Sequence, residues 1–232
     1  MTGPSLSIIV PVLDEASGIE ATLRALAQYR ARGSEVIVVD GGSRDDTIQR
    51  ARSLADHVIA SSRGRAAQMN AGAAIASAPV FLFLHADTRL PVDADALIRD
   101  GLARSGHLWG RFDVRSDGGG LLSLIAALMN LRSRLTGIAT GDQAIFVTRD
   151  AFDSIGGFPA IALMEDVALT TRLKRLGRPL CLRARVITSA RRWRTHGVVM
   201  TVFLMWRLRL AYFLGADPAR LARRYGYAPA EH

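Results

Sequence analysis

The fold is decided by residues 79–89, P-V-F-L-F-L-H-A-D-T-R. Six residues from Val80 to His85 are apolar or nearly so, and the chain then turns acidic. A continuous apolar run of this length predicts a strand that is buried on both faces of a sheet. In an open α/β sheet, ligands bind beyond the carboxyl ends of such strands, where Asp87 lies. A carboxylate there can hold a divalent metal and, through it, a phosphate, or it can simply cap the next turn.

Strands and helices alternate from the start of the chain to this stretch. Apolar runs predict strands at residues 6–13, 35–40 and 57–60, and helical patterns lie between them and at 64–76. This alternation predicts an α/β fold with a mostly parallel, Rossmann-like sheet and helices on both faces. In the second half we predict helices at 92–103, 121–135, 162–176 and 198–214, and strands at 109–114, 143–148 and 180–188.

Length and charge limit the function. The 232 residues, 49% of them hydrophobic, are enough for one large domain. The net charge of +9 comes almost wholly from arginine, since Lys174 is the only lysine. This balance favours anionic partners such as nucleotides or lipid headgroups. The arginines are scattered and no basic-aromatic module stands out, so we expect no nucleic-acid partner.

Cysteine content and hydropathy indicate the compartment. Cys181 is the only cysteine, which excludes an intramolecular disulfide and a cysteine-based zinc site. The N-terminus lacks a secretory signal, and no stretch reaches about eighteen uninterrupted apolar residues. We therefore expect a cytoplasmic protein without a simple transmembrane helix.

Acidic residues follow the first two strands. Asp14 and Glu15 come after the first strand, and Asp40 with Gly41 ends the second. A carboxylate after the second strand can accept hydrogen bonds from ribose hydroxyls or a base N–H, or it can cap the next helix. No G-x-G-x-x-G or G-x-x-x-x-G-K-[ST] occurs here, which argues against dinucleotide and P-loop sites.

Two helix starts carry further candidates. Arg65 opens a polar, basic helix start that can bind an anion or can simply be solvated. Glu165 and Asp166 lie in the first turn of a predicted helix. Acidic residues are common there, because they meet the positive end of the helix dipole, and a catalytic role is the alternative.

Six short motifs follow one another in a characteristic order: I-I-V-P-V-L-D-E (8–15), V-I-V-V-D-G-G-S-R-D-D-T (36–47), R-G-R-A-A-Q-M-N-A-G (63–72), F-L-H-A-D (83–87), G-D-Q-A-I-F-V (141–147) and M-E-D-V-A-L (164–169). In this order the chain resembles the family 2 glycosyltransferases of GT-A fold, over roughly residues 5–194. In detail it is similar to a small, single-domain bacterial subgroup sometimes linked to arsenosugar synthesis. The resemblance implies a GT-A type αβα sandwich over residues 1–195, and we expect amphipathic helices in 196–232 to pack on it.

The resemblance implies roles on the donor side. Pro11 and Glu15 would border the nucleobase pocket, and Asp40 with Gly41 would contact the uracil or ribose. Arg65 would lie near the diphosphate.

The D-x-D position of the family is occupied by His85-Ala86-Asp87. The resemblance implies that these residues contact the nucleotide and that Asp87 ligates Mg²⁺ or Mn²⁺. His85 replaces the first Asp, and imidazole is a poor ligand for Mg²⁺ but acceptable for Mn²⁺. His85 can instead contact ribose or phosphate, or pack at the strand end. Asp87 can still hold a metal together with diphosphate oxygens and waters.

Two other motifs concern the acceptor. Glu165-Asp166 occupies the E-D position, whose Asp is the general base, and Asp142 would line the acceptor side. The segment S-A-R-R-W at 189–193 is similar to a reduced Q-x-x-R-W motif, which implies substrate contacts by Arg192 and Trp193. Serine in place of Gln argues against processive synthesis.

These roles predict an inverting, metal-dependent glycosyltransferase that uses a nucleoside-diphosphate sugar, in the first place a UDP-sugar. A metal on Asp87 and an arginine would neutralise the leaving group, and Asp166 would take the proton from the acceptor hydroxyl. Attack in line with the leaving group predicts inversion. The alternative, suggested by His85, is a non-catalytic nucleotide-sugar binder or a membrane-associated scaffold.

Two apolar stretches suggest a membrane. Residues 121–135 end in Arg132 and Arg134, and residues 198–214 carry Trp206, Arg207, Arg209 and Tyr212. Interfacial helices pair such apolar faces with arginines that reach lipid phosphates. We therefore consider peripheral contact with the anionic inner face of the cell membrane, and a lipid-linked acceptor. Packing on the sheet, or on a second subunit in a homodimer, is the alternative.

Overall fold

The computed structural model describes residues 3–190 and 197–226. The strands are β1 (Ser7–Val12), β2 (Glu35–Asp40), β3 (His57–Ala60), β4 (Val80–Phe83), β5 (Thr88–Arg89), β6 (Trp109–Ser116), β7 (Phe146–Thr148) and β8 (Leu180–Thr188). The helices are α1 (Ile19–Ala31), α2 (Thr47–Ala51), α3 (Arg65–Ile75), α4 (Ala94–Ser105), α5 (Leu121–Thr136), α6 (Arg149–Ser154), α7 (Glu165–Leu176), α8 (Val198–Phe213) and α9 (Pro218–Arg224).

The strands in the described ranges form one sheet in the order β3-β2-β1-β4-β7-β6-β8-β5. Strands β1 to β4 are mutually parallel, and β6 is parallel to β8. Strand β7 runs antiparallel to both β4 and β6, and the short β5 runs antiparallel to β8. The predicted α/β fold with a mostly parallel sheet is therefore confirmed.

Helices cover both faces of the sheet, because alternate residues of the central strands are buried on opposite sides. In β1, Ile8 belongs to a core with side chains of α1, α4 and α5. The next residue, Ile9, belongs to a second core with side chains of α3, α6 and α7. Both isoleucines are fully buried, as expected for a strand covered on both faces.

The C-terminal helices form a third, smaller core with the start of α7. Its buried members are Leu163, Met164, Val167, Leu208, Leu221 and Ala222. This packing brings α8 and α9 next to the carboxyl-end side of the sheet. The boundary predicted at residue 195 falls outside the described residues. None of the helices in the described ranges is long and apolar enough to cross a bilayer.

Several boundaries differ from the sequence prediction. Helix α7 begins at Glu165 and not at residue 162, because Met164 has a left-handed backbone with φ of 69°. Strand β7 begins only at Phe146, since Gly141–Gln143 form a turn of 3-10 helix. Strand β4 ends at Phe83, so that His85 lies in the loop after it. Helix α2 is limited to Thr47–Ala51, and β5 and α6 were not predicted. Helix α9 falls in the segment where amphipathic helices were expected, without predicted bounds.

Candidate active site

A cavity of about 580 Å³ opens beyond the carboxyl ends of β1 and β4. Helices α5, α7 and α8 complete its walls. Nine of the predicted site residues line it: Pro11, Glu15, Arg65, His85, Ala86, Asp87, Asp142, Glu165 and Asp166. The tertiary structure thus gathers residues from the first and second halves of the chain into one cleft, where ligands bind in such sheets.

Asp40 is buried beneath the rim of this cavity and is not in its lining, with only 1% of its surface exposed. One carboxylate oxygen accepts the backbone N–H groups of Gly42 and Ser43, each at 2.9 Å. The Ser43 hydroxyl donates to the other oxygen and accepts the N–H of Asp14 at 2.9 Å. Asp40 therefore fixes the loop that carries Glu15, and the nucleotide contact predicted for it stays a prediction.

Gly41 also lies outside the cavity lining, and it leaves room for Gln68. A Cβ atom at Gly41 would lie 3.0 Å from the Gln68 Cδ atom. The buried Gln68 amide donates to the carbonyl oxygens of Val12, at 2.7 Å, and Val39, at 2.9 Å. This ties α3 to the ends of β1 and β2. The sequence did not predict this positioning role of Gln68.

The two predicted contacts at Arg192 and Trp193 lie outside the described residues. Their neighbour Ser189 lines the cavity. Its backbone N–H donates to the carbonyl oxygen of Asp87 at 3.2 Å. The start of the S-A-R-R-W segment therefore meets the end of the D-x-D-like segment.

Asp87 presents an exposed carboxylate to the cavity. Within the described ranges, the Thr88 hydroxyl lies 3.5 Å from an Asp87 carboxylate oxygen, which is a long hydrogen bond. In the same ranges no three His, Cys, Asp or Glu side chains cluster as a metal site. The protein therefore offers a single carboxylate with spare lone pairs at this point. Such a donor suits an ion that takes its remaining ligands from substrate phosphates and water.

His85 is held by the opposite wall of the cavity. Its Nδ1 atom lies 3.5 Å from a carboxylate oxygen of Asp142. Partial burial opposes ionisation of Asp142, but the hydrogen bond and charge of His85 outweigh it and lower the pKa of that carboxyl. Gly141 makes the approach possible, because a Cβ atom there would lie 2.3 Å from the His85 Nε2 atom. The ring of His85 is thus engaged by protein groups.

Asp166 and Glu165 occupy the first turn of α7 but differ in their surroundings. Asp166 is half-buried and accepts the N–H of Gly141 at 2.8 Å and the N–H of Val167 at 2.7 Å. Glu165 is only 5% exposed and lies 4.0 Å from the Arg65 guanidinium. Burial, together with the charge of Asp166, raises the pKa of Glu165 to about 7 against the opposing effect of Arg65. The pair therefore offers one oriented, accessible carboxylate and one buried carboxyl.

Met164 sets the direction in which this pair points. It is buried, it lines the cavity, and its positive φ is uncommon for a residue with a side chain. Strained backbone of this kind collects at functional sites, where the surrounding packing holds it.

The walls of the cavity beyond the carboxylates are mostly apolar. Helix α5 contributes Leu122, Ile125 and Met129, and helix α8 contributes Met205 and the cationic Arg209. Arg209 was expected to reach lipid phosphates, but the structure places it in the cavity wall. The same expectation is wrong for Arg134, which pairs with Asp113 at 2.6 Å.

Comparison with known proteins identifies the family. Residues 7–155, more than half of the chain, match the family model described as "Glycosyl transferase family 2". A "PGL/p-HBAD biosynthesis glycosyltransferase" of Mycobacterium bovis is 31% identical over 173 residues, and its counterpart in Mycobacterium tuberculosis is equally similar. The match covers 68% of this chain and 64% of each relative, so the chain spans less than two thirds of their length.

Solved structures share the fold. Mannosyltransferase PcManGT from Pyrobaculum calidifontis, in complex with GDP-Man and Mn²⁺, has a TM-score of 0.67 at 23% identity, over 99% of this chain and 67% of that chain. S. aureus TarS 1-349 in complex with UDP has a TM-score of 0.66 at 20% identity, over 80% and 60%. The GT-A fold is therefore confirmed, and by its sequence the chain belongs to glycosyl transferase family 2.

Proposed function

We propose that this protein transfers a sugar from a nucleoside-diphosphate sugar to an acceptor hydroxyl, with inversion at the anomeric carbon. The observation that carries the proposal is that Asp87 and Asp166, far apart in sequence, line one cavity. One supplies a carboxylate for the leaving-group side and the other a carboxylate for the acceptor side. The arsenosugar subgroup stays a prediction.

The donor side is formed by the loops after β1 and β4. Pro11 and Glu15 line the cavity, and Arg65 at the start of α3 supplies a cation. We propose UDP-sugars as donors, supported by the fold shared with TarS, whose structure holds UDP. PcManGT holds GDP-Man, so a guanosine nucleotide is the comparison for this proposal.

The leaving diphosphate needs charge neutralisation. We propose that Asp87 holds Mg²⁺ or Mn²⁺ there, because its exposed carboxylate is a hard oxygen donor at the cavity. A divalent cation bound there stabilises negative charge on the departing phosphate. Arg65 adds a cation of the protein itself, and its guanidinium lies 4.0 Å from the Glu165 carboxyl.

The acceptor hydroxyl needs a base, and we assign this role to Asp166. Hydrogen bonds from the backbone of Gly141 and Val167 fix its carboxylate while it still lines the cavity. A carboxylate held in this way takes the proton as the hydroxyl attacks the anomeric carbon from the side opposite the diphosphate. This geometry supports a single displacement with inversion.

The acceptor is proposed to be lipid-linked and presented at an anionic membrane. Helices α5 and α8 line the cavity, and their outer faces carry large apolar side chains that are at least half exposed. These side chains are Leu121, Leu124, Leu128, Leu131 and Leu135 on α5, and Met200, Phe203, Trp206, Leu210 and Phe213 on α8. Exposed arginines stand beside them on α8 and α9: Arg207, Arg220, Arg223 and Arg224. Apolar and cationic groups together suit anionic headgroups, at the cytoplasmic side of the membrane.

The decisive test is Asp166→Asn, measured by transfer or slow hydrolysis of UDP-sugars. We expect turnover to fall about a thousandfold while UDP still binds, because only the base is lost. Asp153→Asn, an exposed carboxyl of α6 away from the cavity, is the control and should leave turnover unchanged. A wild-type protein that binds UDP but turns over no sugar nucleotide would instead support the non-catalytic binder or scaffold.

A further inference from the structure

Two arginines of the cavity region keep hydrogen-bond donors without a protein acceptor. Arg132 on α5 has its Nε and Nη2 atoms buried, and Arg209 on α8 has its Nε atom buried. None of the three finds a partner in the described part of the chain. Buried N–H groups of a charged side chain cost free energy when they are unpaired. A ligand that accepts their hydrogen bonds would remove this cost.

Both side chains extend from helix faces that line the cavity. Arg132 follows Met129 by three residues, and Arg209 follows Met205 by four, so each shares a face with a lining residue. The neighbouring acids do not satisfy them. The oxygens of Asp166 accept backbone N–H groups, and Asp142 faces His85.

Other arginines of the same region show the contrast. Arg111 is fully buried, yet it donates to the Ser133 hydroxyl at 3.0 Å and the Asn130 carbonyl at 3.1 Å, and it pairs with Asp113. Arg134 shares the same aspartate. Three guanidinium nitrogens of Arg132 and Arg209 lack such partners in the described ranges. Arg209 lines the cavity, and Arg132 shares a helix face with the lining residue Met129.

The two cations also act on each other. Burial, with the charge of Arg209, lowers the pKa of Arg132 to about 10. The charge of Asp166 opposes this effect on Arg132. The charge of Arg209 also helps to lower the pKa of Asp142. Two like charges held close together are further stabilised by an anion placed between them.

We propose that Arg132 and Arg209 form an anion-binding pair that takes an oxyanion of phosphate type beside Asp166. The pair deepens the proposed function and rests on it, since the anion would belong to a substrate in the same cavity. Two sources share this chemistry: the diphosphate of the donor, and a phosphate carried by the acceptor. Guanidinium groups suit either one, because their forked N–H donors match phosphate oxygens.

Inorganic phosphate is the probe, titrated calorimetrically into the full chain. Arg132→Gln and Arg209→Gln should each weaken phosphate binding about tenfold or more, since each removes a charge-assisted hydrogen bond. Arg175→Gln is the control, because Arg175 on α7 is exposed and outside the cavity lining. Equal binding in all variants, or no binding to the wild type, would overturn the pair.

A second titration separates the two sources. If the anion is the donor diphosphate, Arg209→Gln weakens UDP about tenfold and leaves uridine unchanged. If it is an acceptor phosphate, UDP affinity stays the same and inorganic phosphate still binds when UDP is saturating. Loss of UDP and uridine binding together would mean a damaged cavity and would count against the pair.

Melting curves show whether the variants fold. Removing one of two crowded cations should leave the melting temperature unchanged or raise it, and phosphate should raise the melting temperature of the wild type more than that of either variant. These readouts do not depend on turnover. If phosphate binding requires both arginines but the protein has no transferase activity, the anion-binding pair is supported and the proposed function is rejected. If the protein is an active transferase but phosphate binding does not require the arginines, only the anion-binding pair is rejected.

Discussion

At the scale of single residues, Glu165 is the group whose chemistry depends most on its surroundings. Its carboxyl is buried next to Asp166, and the pKa is raised from 4.5 to about 7. The folded protein therefore binds a proton at Glu165, between these two values, that the unfolded chain releases. Stability contributed in this way is present at low pH and is lost as the pH rises toward 7.

Glu165→Gln should remove that pH dependence. Urea unfolding of the wild type should show a loss of up to about 3 kcal/mol between pH 5 and pH 8 from this group, and the variant should lose less. Glu20→Gln is the control, since Glu20 lies on the exposed face of α1. Identical pH profiles for the wild type and the Glu165 variant would show that burial does not penalise this charge.

Gly141 joins two groups of the site: its N–H holds Asp166, and its missing side chain admits His85. Gly141→Ala would force a Cβ atom against the imidazole, which must shift. A displacement of this size should lower turnover about a hundredfold without unfolding the protein. Gly119→Ala is the matched control, because a Cβ atom there would meet nothing within 4 Å. Equal turnover in both variants would contradict the positioning role.

At the scale of elements, α5 is held to the sheet by polar contacts on one side and is apolar on the other. The Asn130 side chain pairs with both backbone groups of Val114 at 2.9 Å, and Arg111 reaches Ser133 and the Asn130 carbonyl. The anchored face fixes the helix, so its outer leucines stay exposed at spacings of three and four residues. A stripe of this kind is typical of a surface that contacts a membrane or another protein.

Flotation with anionic liposomes at low salt tests which of these contacts the stripe makes. We expect the wild type to float, and the double variants Leu124→Ser/Leu128→Ser and Phe203→Ser/Trp206→Ser to bind about tenfold more weakly. Val92→Ser, an exposed apolar residue away from both helices, is the control. A wild type that stays unbound would reject membrane contact. A concentration-dependent dimer that the same double variants abolish would then identify a second copy as the partner.

At the scale of the whole molecule, the cavity joins both halves of the chain. The ends of β1 and β4 provide one wall, and α5, α7 and α8 provide the others. A ligand bound there contacts elements from Pro11 to Tyr225, so it stabilises the folded chain as a unit.

Thermal shift with UDP and Mn²⁺ measures this coupling. At a hundredfold excess over the dissociation constant, binding should stabilise the fold by about 2.7 kcal/mol. Asp87→Ala should abolish the part of the shift that depends on Mn²⁺, because it removes the proposed metal ligand. Guanosine diphosphate is the comparison nucleotide, and a larger shift with it than with UDP would contradict the proposed donor.

Much of the site was predictable because it lies at strand ends. Asp87 and Glu15 follow apolar runs that predict buried strands, and parallel strands place their carboxyl ends at one edge. Asp166 was predictable from its motif. The roles of Gln68 and Arg209 were not predictable, because each depends on residues distant in sequence. Gln68 donates to the carbonyl oxygen of Val39, and Arg209 lies in the cavity wall.

By itself the sequence determined the α/β class, the mostly parallel sheet and the family, because hydrophobic periodicity and short motifs are local properties. Only the tertiary structure decided which polar groups meet. It buried Asp40 under its own turn, placed Glu165 beside Arg65, and left three buried guanidinium nitrogens of Arg132 and Arg209 without acceptors in the described ranges. The physical reason is that burial and pairing depend on neighbours distant in sequence, which no local pattern encodes.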